Sequence, residues 1–205
     1  RSQIRYDGHT LGDQYRGENY TYFLQNGAWV IRKFSRDRES ASEIYKNNVH
    51  IVIYRDADVH FFMIEALNNL GMFDQAEALL NDGVELYLSR NAGNLKYPFD
   101  NAAMNVSLAR NWGIRRRVNL APVHPEGVSR DDLSTTEKVD AYKKALDKLV
   151  VEETLMESAG EAKAYFAMMR IADRWNDPTI LADIVAQKYP VGQTNQIRQY
   201  LLDRN

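Results

Sequence analysis

The stretch from Val151 to Ala172 constrains this chain more than any other. Its apolar residues Val151, Leu155, Ala159, Ala162, Phe166, Met169 and Ile171 recur three or four apart, the spacing of one helical face. Glu153, Glu157 and Glu161 fall four apart and line a second stripe. Such a segment folds as an amphipathic helix with an acidic ridge, and the ridge is expected to be a solvated or salt-bridged face. Gly160 marks a break or a close crossing within it.

An amphipathic helix needs neighbours, and the flanking sequence supplies them. Ser134 with Glu137 forms a capping box that opens a long helix leading into the stretch. Asp177-Pro178 reads as an N-cap with proline at the first helical position, starting a helix to about Lys188 that Tyr189-Pro190 stops. Residues 194–202 add an amphipathic turn or two. Further upstream, the pattern predicts a helix from about Ala57 to Leu70, with Phe61, Phe62, Ala66, Leu67 and Leu70 on a broad apolar side. Gly71 is its stop signal. Asp74 with Glu77 makes a capping box for a helix from about Gln75 to Arg90.

Helix, glycine turn, helix, with Ala66, Ala76 and Ala78 near the crossing, is a helical hairpin. The run from Glu65 to Ala76 resembles a tetratricopeptide repeat turn: a small residue, Leu70-Gly71, the aromatic Phe73, then Ala76 on the second helix. One such unit cannot bury both of its faces, so further repeats are expected, most simply upstream of Arg1. The opening Arg1-Ser2-Gln3-Ile4-Arg5 reads as the middle of something longer.

The remaining segments are less regular. Residues 1–27 are loop-like, with turn signals at Asp7-Gly8, Leu11-Gly12-Asp13 and Asn26-Gly27 and aromatic rings between them. Gly27 to Phe34 is a candidate strand, residues 35–48 a charged loop, and Val49 to Tyr54 a second candidate strand entering the first helix. Asn91 to Asp100 is a loop, Asn101 to Asn111 a short helix, and Gly113 to Asp132 a connection containing Pro122, Pro125 and Gly127. The expected fold is therefore mainly α: tetratricopeptide-like helical hairpins in an α-α superhelix, with long irregular loops and a few short strands. Its organisation is a loop-rich segment 1–48, a strand and hairpin over 49–90, loops over 91–133 and C-terminal helices over 134–205.

Several chemistries find no support. The net charge of −2 gives no electrostatic footprint for nucleic acid or anionic lipid, and the run Arg115-Arg116-Arg117 is expected to salt-bridge to acidic helices. The chain has no cysteine, which removes disulfides, thiolate metal sites and cysteine nucleophiles together. His9, His50, His60 and His124 do not pair with one another or with carboxylates at metal-ligand spacing. No glycine-rich phosphate loop or nucleophile elbow occurs. Carboxylates along one helix face lie in a line, whereas glycoside hydrolysis needs two that oppose each other across a cleft. These readings favour a protein without catalysis, cofactor or metal.

Read as an order of residue types, the opening stretch resembles the C-terminal signature of the SusD/RagB family of nutrient-binding lipoproteins. Glu152, Glu153, Glu157, Ala159, Glu161, Phe166 and Arg170 coincide with that signature without gaps. Ile171 to Pro178 and Leu181-Ala182-Asp183 look like its continuation. Upstream, Ile51 to Val59 followed by Glu65-Ala66-Leu67-Asn68 resembles the family's Tyr-Arg-x-Ala-Asp helix, and Arg117-Val118-Asn119-Leu120 sits where the family carries Arg-Ala-Gly-Leu. Thr154, Ala162, Ala164, Tyr165 and Ala167 depart from it, replacing Arg, Gly, Arg, Trp and Asp. The lost charges mean that the hydrogen-bond network tying this helix to its neighbours is either rebuilt by other residues or absent.

The resemblance covers residues 49 to 190 and implies the C-terminal part of a surface-exposed lipoprotein in the outer membrane of a Bacteroidota-type bacterium. Such proteins cap a SusC-like TonB-dependent transporter and capture oligosaccharides, or in some members peptides, for import. Their membrane attachment is an N-terminal lipid anchor outside these residues. Binding of this kind stacks aromatic rings on sugar faces while polar side chains fix hydroxyls. On composition and loop placement, Tyr15, Tyr20, Tyr22 and Trp29 are the candidate ligand-binding residues. The competing expectation is a tetratricopeptide-like scaffold that binds partner proteins.

Overall fold

A computed structural model describes residues 22–31, 53–101, 111–118 and 120–203. The chain divides into two compact units, Arg1–Val123 and His124–Asn205. The fold is mainly helical, as expected, with seven α-helices and one β-hairpin among the described residues. No described helix is long and apolar enough to cross a membrane.

In the first unit, β1 (Tyr22–Gln25) and β2 (Ala28–Ile31) pair antiparallel, with Tyr22 opposite Ile31 and Leu24 opposite Trp29. Asn26 and Gly27 join them with φ of 50° and 78°. Two left-handed residues make a type I′ turn, whose twist matches that of the strands. The expectation of a loop over residues 1–27 is thereby corrected for Tyr22–Gln25, since an Asn-Gly pair between β-rich residues is a hairpin signal; residues 1–21 lie outside the described residues. The second candidate strand does not reach Ile53 and Tyr54, which are exposed and outside any strand; its residues 49–52 lie outside the described residues.

Helix α1 (Asp56–Asn69) opens with the Asp58 carboxylate accepting the Arg55 N–H at 2.6 Å, and Asp56 and Asp58 complement the helix dipole. At its far end Gly71 adopts φ 75°, its N–H reaching the Asn68 carbonyl at 2.9 Å and that of Met72 the Leu67 carbonyl at 2.8 Å. This is a Schellman stop, available to glycine without steric cost. The buried face of α1 carries Ala57, Phe61, Ile64 and Leu67, while Phe62, Ala66 and Leu70 are exposed. The predicted apolar side was therefore too broad by one stripe.

Instead of one helix from Gln75 to Arg90 there are two, α2 (Phe73–Leu80) and α3 (Gly83–Arg90). Asp74 lies in the first turn of α2 and Met72 holds the cap position, so no Asp74–Glu77 capping box forms. The break at Asn81-Asp82-Gly83 is made by residues 111–116, a strap that crosses the join. The N–H groups of Ile114, Arg115 and Arg116 donate to the carbonyls of Leu79, Leu80 and Asn81 at 3.1, 2.9 and 3.0 Å. The Asn111 carbonyl accepts the Glu85 N–H at 3.1 Å. Carbonyls that a continuing helix would have satisfied are satisfied from outside. The Asn81 amide then binds the backbone of Val123 twice, donating to its carbonyl at 2.8 Å and accepting its N–H at 2.9 Å. Phe61, Ile64, Leu67, Leu79, Leu80, Val84, Phe99 and Ile114 are buried, and Tyr87 meets Phe99 edge to face at 5.2 Å. Of the expected 101–111 helix, residues 102–110 lie outside the described residues, and Asn101 and Asn111 are not helical.

The second unit strings together α4 (Thr136–Glu157), α5 (Lys163–Trp175), α6 (Thr179–Ala186) and α7 (Val191–Leu202), each packed on the next. Thr135, not Ser134, caps α4, its hydroxyl accepting the Lys138 N–H at 3.3 Å; Ser134 instead donates to Asp132. Helix α4 stops at Glu157, and Gly160 and Ala162 turn the chain with φ of 81° and 59°. The stretch that reads as one amphipathic face is thus two helices, and the turn resets the phase. Ala167, Met168 and Ile171 face inward, while Phe166 and Met169 are exposed. Val151, Met168, Ile171, Ile180 and Leu181 form the core, with Leu155, Trp175, Ile184, Val185 and Leu201 around it. Full burial of each such aliphatic side chain contributes about 1.5–3 kcal/mol. Of the two expectations for the acidic ridge, the solvated face is corrected: Glu153 and Glu157 are buried, at 1% and 4% exposure, while Glu161 pairs with Lys163 at 3.0 Å.

Candidate functional site

Of the four candidate ligand-binding residues, Tyr22 and Trp29 are on the β-hairpin, and Tyr15 and Tyr20 lie outside the described residues. The register gives Tyr22, Leu24, Trp29 and Ile31 the same alternation, hence one face of the ribbon. The I′ turn sets positions 22 and 29 diagonally across the strand pair. The signal that finds this arrangement in the sequence is Asn26-Gly27 itself.

The residues carrying the family resemblance take framework positions. Asp147 of α4, fully buried, accepts the Arg174 guanidinium and the Trp175 indole N–H, both at 2.8 Å. Asp177 binds the Lys144 ammonium at 2.8 Å and accepts the Thr179 N–H at 3.1 Å, with the Thr179 hydroxyl on the same oxygen. Burial pushes the Asp177 carboxyl up, but Lys144 and Thr179 outweigh it and hold it down at about 2. The α4–α5–α6 turns are thus tied by charged hydrogen bonds from residues about two to three helical turns away from the altered positions. Thr154 binds its own helix, donating to the Val150 carbonyl at 2.7 Å. The cap position of α6 falls on Pro178 and not on Asp177, one residue later than expected, and regular helix starts at Thr179.

Arg115 is buried and its Nε donates to the Ala121 carbonyl at 2.7 Å. Arg116 approaches Glu85 at 3.4 Å and lies over the Trp112 ring at 5.8 Å. His60 touches the Asn111 amide, whose oxygen accepts the Gly113 N–H at 2.9 Å. Among the described residues no three of His, Asp and Glu converge as metal ligands would. Glu153 and Glu157 follow one another along one helix, so their geometry is a row and not a facing pair.

No family model, curated protein or solved structure gives a significant match to this chain.

Proposed function

We propose that this chain is the C-terminal part of a SusD/RagB-like protein. It would bind an oligosaccharide, or alternatively a peptide, at the surface of the outer membrane and pass it to a SusC-like TonB-dependent transporter without chemical change. The observation that carries this reading is the placement of the residues that resemble the family. Tyr54 to Val59 opens α1, Leu67 to Gly71 closes it with a Schellman turn into α2, Glu153 and Glu157 are buried residues of α4, and Ile171 to Asp183 span the α5–α6 turn, where Asp177 accepts the Thr179 N–H. Signature residues that serve packing leave ligand contact to the loops and to the hairpin.

Calorimetric titration of the full-length protein with oligosaccharide and peptide panels tests the proposal, beside a Tyr22→Ala, Trp29→Ala double variant. Saturable binding to one class, weakened at least tenfold in the variant, is the expected result. Absence of binding across both panels would dismiss it. One observation favours the second reading, a protein-interaction scaffold. Helix α5 has an outward apolar side, with Tyr165, Phe166 and Met169 exposed and the two rings 5.9 Å apart. Co-purification of a non-transporter protein, lost on Phe166→Ser, would move the assignment there.

A further inference from the structure

The contact between His60 and Asn111 joins α1 to the start of the strap. The orientation of the Asn111 amide is set by its second bond, since its Oδ1 accepts the Gly113 N–H at 2.9 Å. Turning the amide end for end would put Nδ2 against that N–H, donor against donor. Nδ2 therefore faces the His60 ring, and Nε2 of the ring is the acceptor. That role is open only to a neutral imidazole carrying its proton on Nδ1. We propose that the His60–Asn111 pair is a protonation-sensitive latch on the strap 111–116, closed when the imidazole is neutral and open when it is charged.

Opening follows from the inventory of donors. A charged imidazole presents N–H at both nitrogens, so Nε2–H meets the Asn111 amide N–H and one must turn away. If Asn111 turns, the Gly113 N–H loses its acceptor at the point where the strap crosses the α2–α3 join. The adjacent N–H groups of Ile114, Arg115 and Arg116 then lose their anchor on Leu79, Leu80 and Asn81. The charged groups acting on His60 among the described residues are Arg117, which opposes its protonation, and Asp56, which favours it. Burial acts first and in the same sense as Arg117, holding the ring below its ordinary 6.5. The unfolded chain takes up the proton at the ordinary value and the folded chain only below it. The stability supplied by the closed latch is thus complete above pH 6.5 and is lost as pH falls from there through the folded value.

The test is a nuclear magnetic resonance titration of the whole chain between about pH 8 and pH 5, where histidine changes charge. It follows the His60 ring carbons together with amide exchange at Gly113, Ile114 and Arg115, corrected for intrinsic rates. Protection of these amides is expected to fall about fivefold, the equivalent of one ordinary hydrogen bond, with the midpoint of His60's own titration. In His60→Gln, whose side chain accepts from Asn111 but cannot charge, protection is expected to stay constant over the same range. His60 titrating at or above its ordinary value, or strap amides indifferent to its titration, would overturn the latch. The wild-type titration decides this even if the variant fails to fold.

Discussion

Gly83 and Gly113 interlock backbone to backbone. A Cβ on Gly83 would stand 2.2 Å from the Asn111 carbonyl oxygen and 2.4 Å from the Gly113 nitrogen; one on Gly113 would stand 2.7 Å from both the Asn81 oxygen and the Gly83 nitrogen. Both residues also hold a left-handed φ, at 82° and 72°. Space and conformation therefore exclude a side chain at each position for independent reasons.

Replacing either glycine by alanine is expected to destabilise the chain by about 3 kcal/mol or more, because backbone cannot yield as a side chain can. Gly93 supplies the control. Its φ is 90° but nothing lies within 4 Å of a Cβ, so Gly93→Ala meets only the conformational cost of about 1 kcal/mol. Urea denaturation of the three variants checks the contrast; equal losses at Gly83 and Gly93 would refute the interlock.

Ala162 makes the opposite prediction. It adopts φ 59° at the start of α5, a conformation that strains an L-residue, in the position where the resembled signature has glycine. Ala162→Gly is expected to stabilise by about 0.5–1 kcal/mol, the relief of strain exceeding the added freedom of the unfolded chain. A lower denaturation midpoint in this variant would show that the turn is relaxed with alanine.

Asp147 answers to a different rule. Its carboxylate is the buried partner of Arg174 and Trp175, so Asp147→Ala leaves a partly buried guanidinium and an indole N–H without it. The expected loss is about 3 kcal/mol, and adding Arg174→Met should return part of it. A double variant no more stable than the single one would place the energy elsewhere.

Asp177 links the second unit to acid. Its folded carboxyl titrates at about 2 against an ordinary 3.8, so its contribution is full above pH 3.8 and disappears as pH falls towards 2. Asp177→Asn should flatten the acid limb of the stability profile in that window, measured by thermal unfolding at stepped pH. An unchanged limb would mean that other carboxylates govern acid unfolding.

The helical class and the Gly71 turn are legible in the sequence because each depends on local geometry: a 3.6-residue period and a left-handed stop. The break at Asn81–Gly83 is not, since its cause is a strap about thirty residues away. The outward turn of Phe166 and Met169 escapes for a related reason. The apolar periodicity runs straight through Ala159 to Ala162, where the chain leaves the helix and re-enters at another phase. The burial of Glu153 and Glu157 is not legible either, because spacing tells which residues share a stripe, and not which stripe faces the core. At the candidate site, Asn26-Gly27 was recognised as a turn, but pairing Tyr22–Gln25 with Ala28–Ile31 required reading both flanks as strands.

The I′ turn has a chemical side. Asn26 is exposed and is followed by Gly27, whose missing side chain leaves the next peptide nitrogen open to attack the Asn26 amide carbon. Ring closure expels ammonia, and hydrolysis of the ring gives aspartate or isoaspartate, the latter lengthening the backbone by one atom. A hairpin built on two residues cannot absorb that atom without shifting its pairing. The pairing of Leu24 with Trp29 and of Tyr22 with Ile31 is thus subject to ageing as well as to folding. Peptide mapping of stored protein for isoaspartate at position 26, alongside ligand affinity, would reveal how long the hairpin keeps its register.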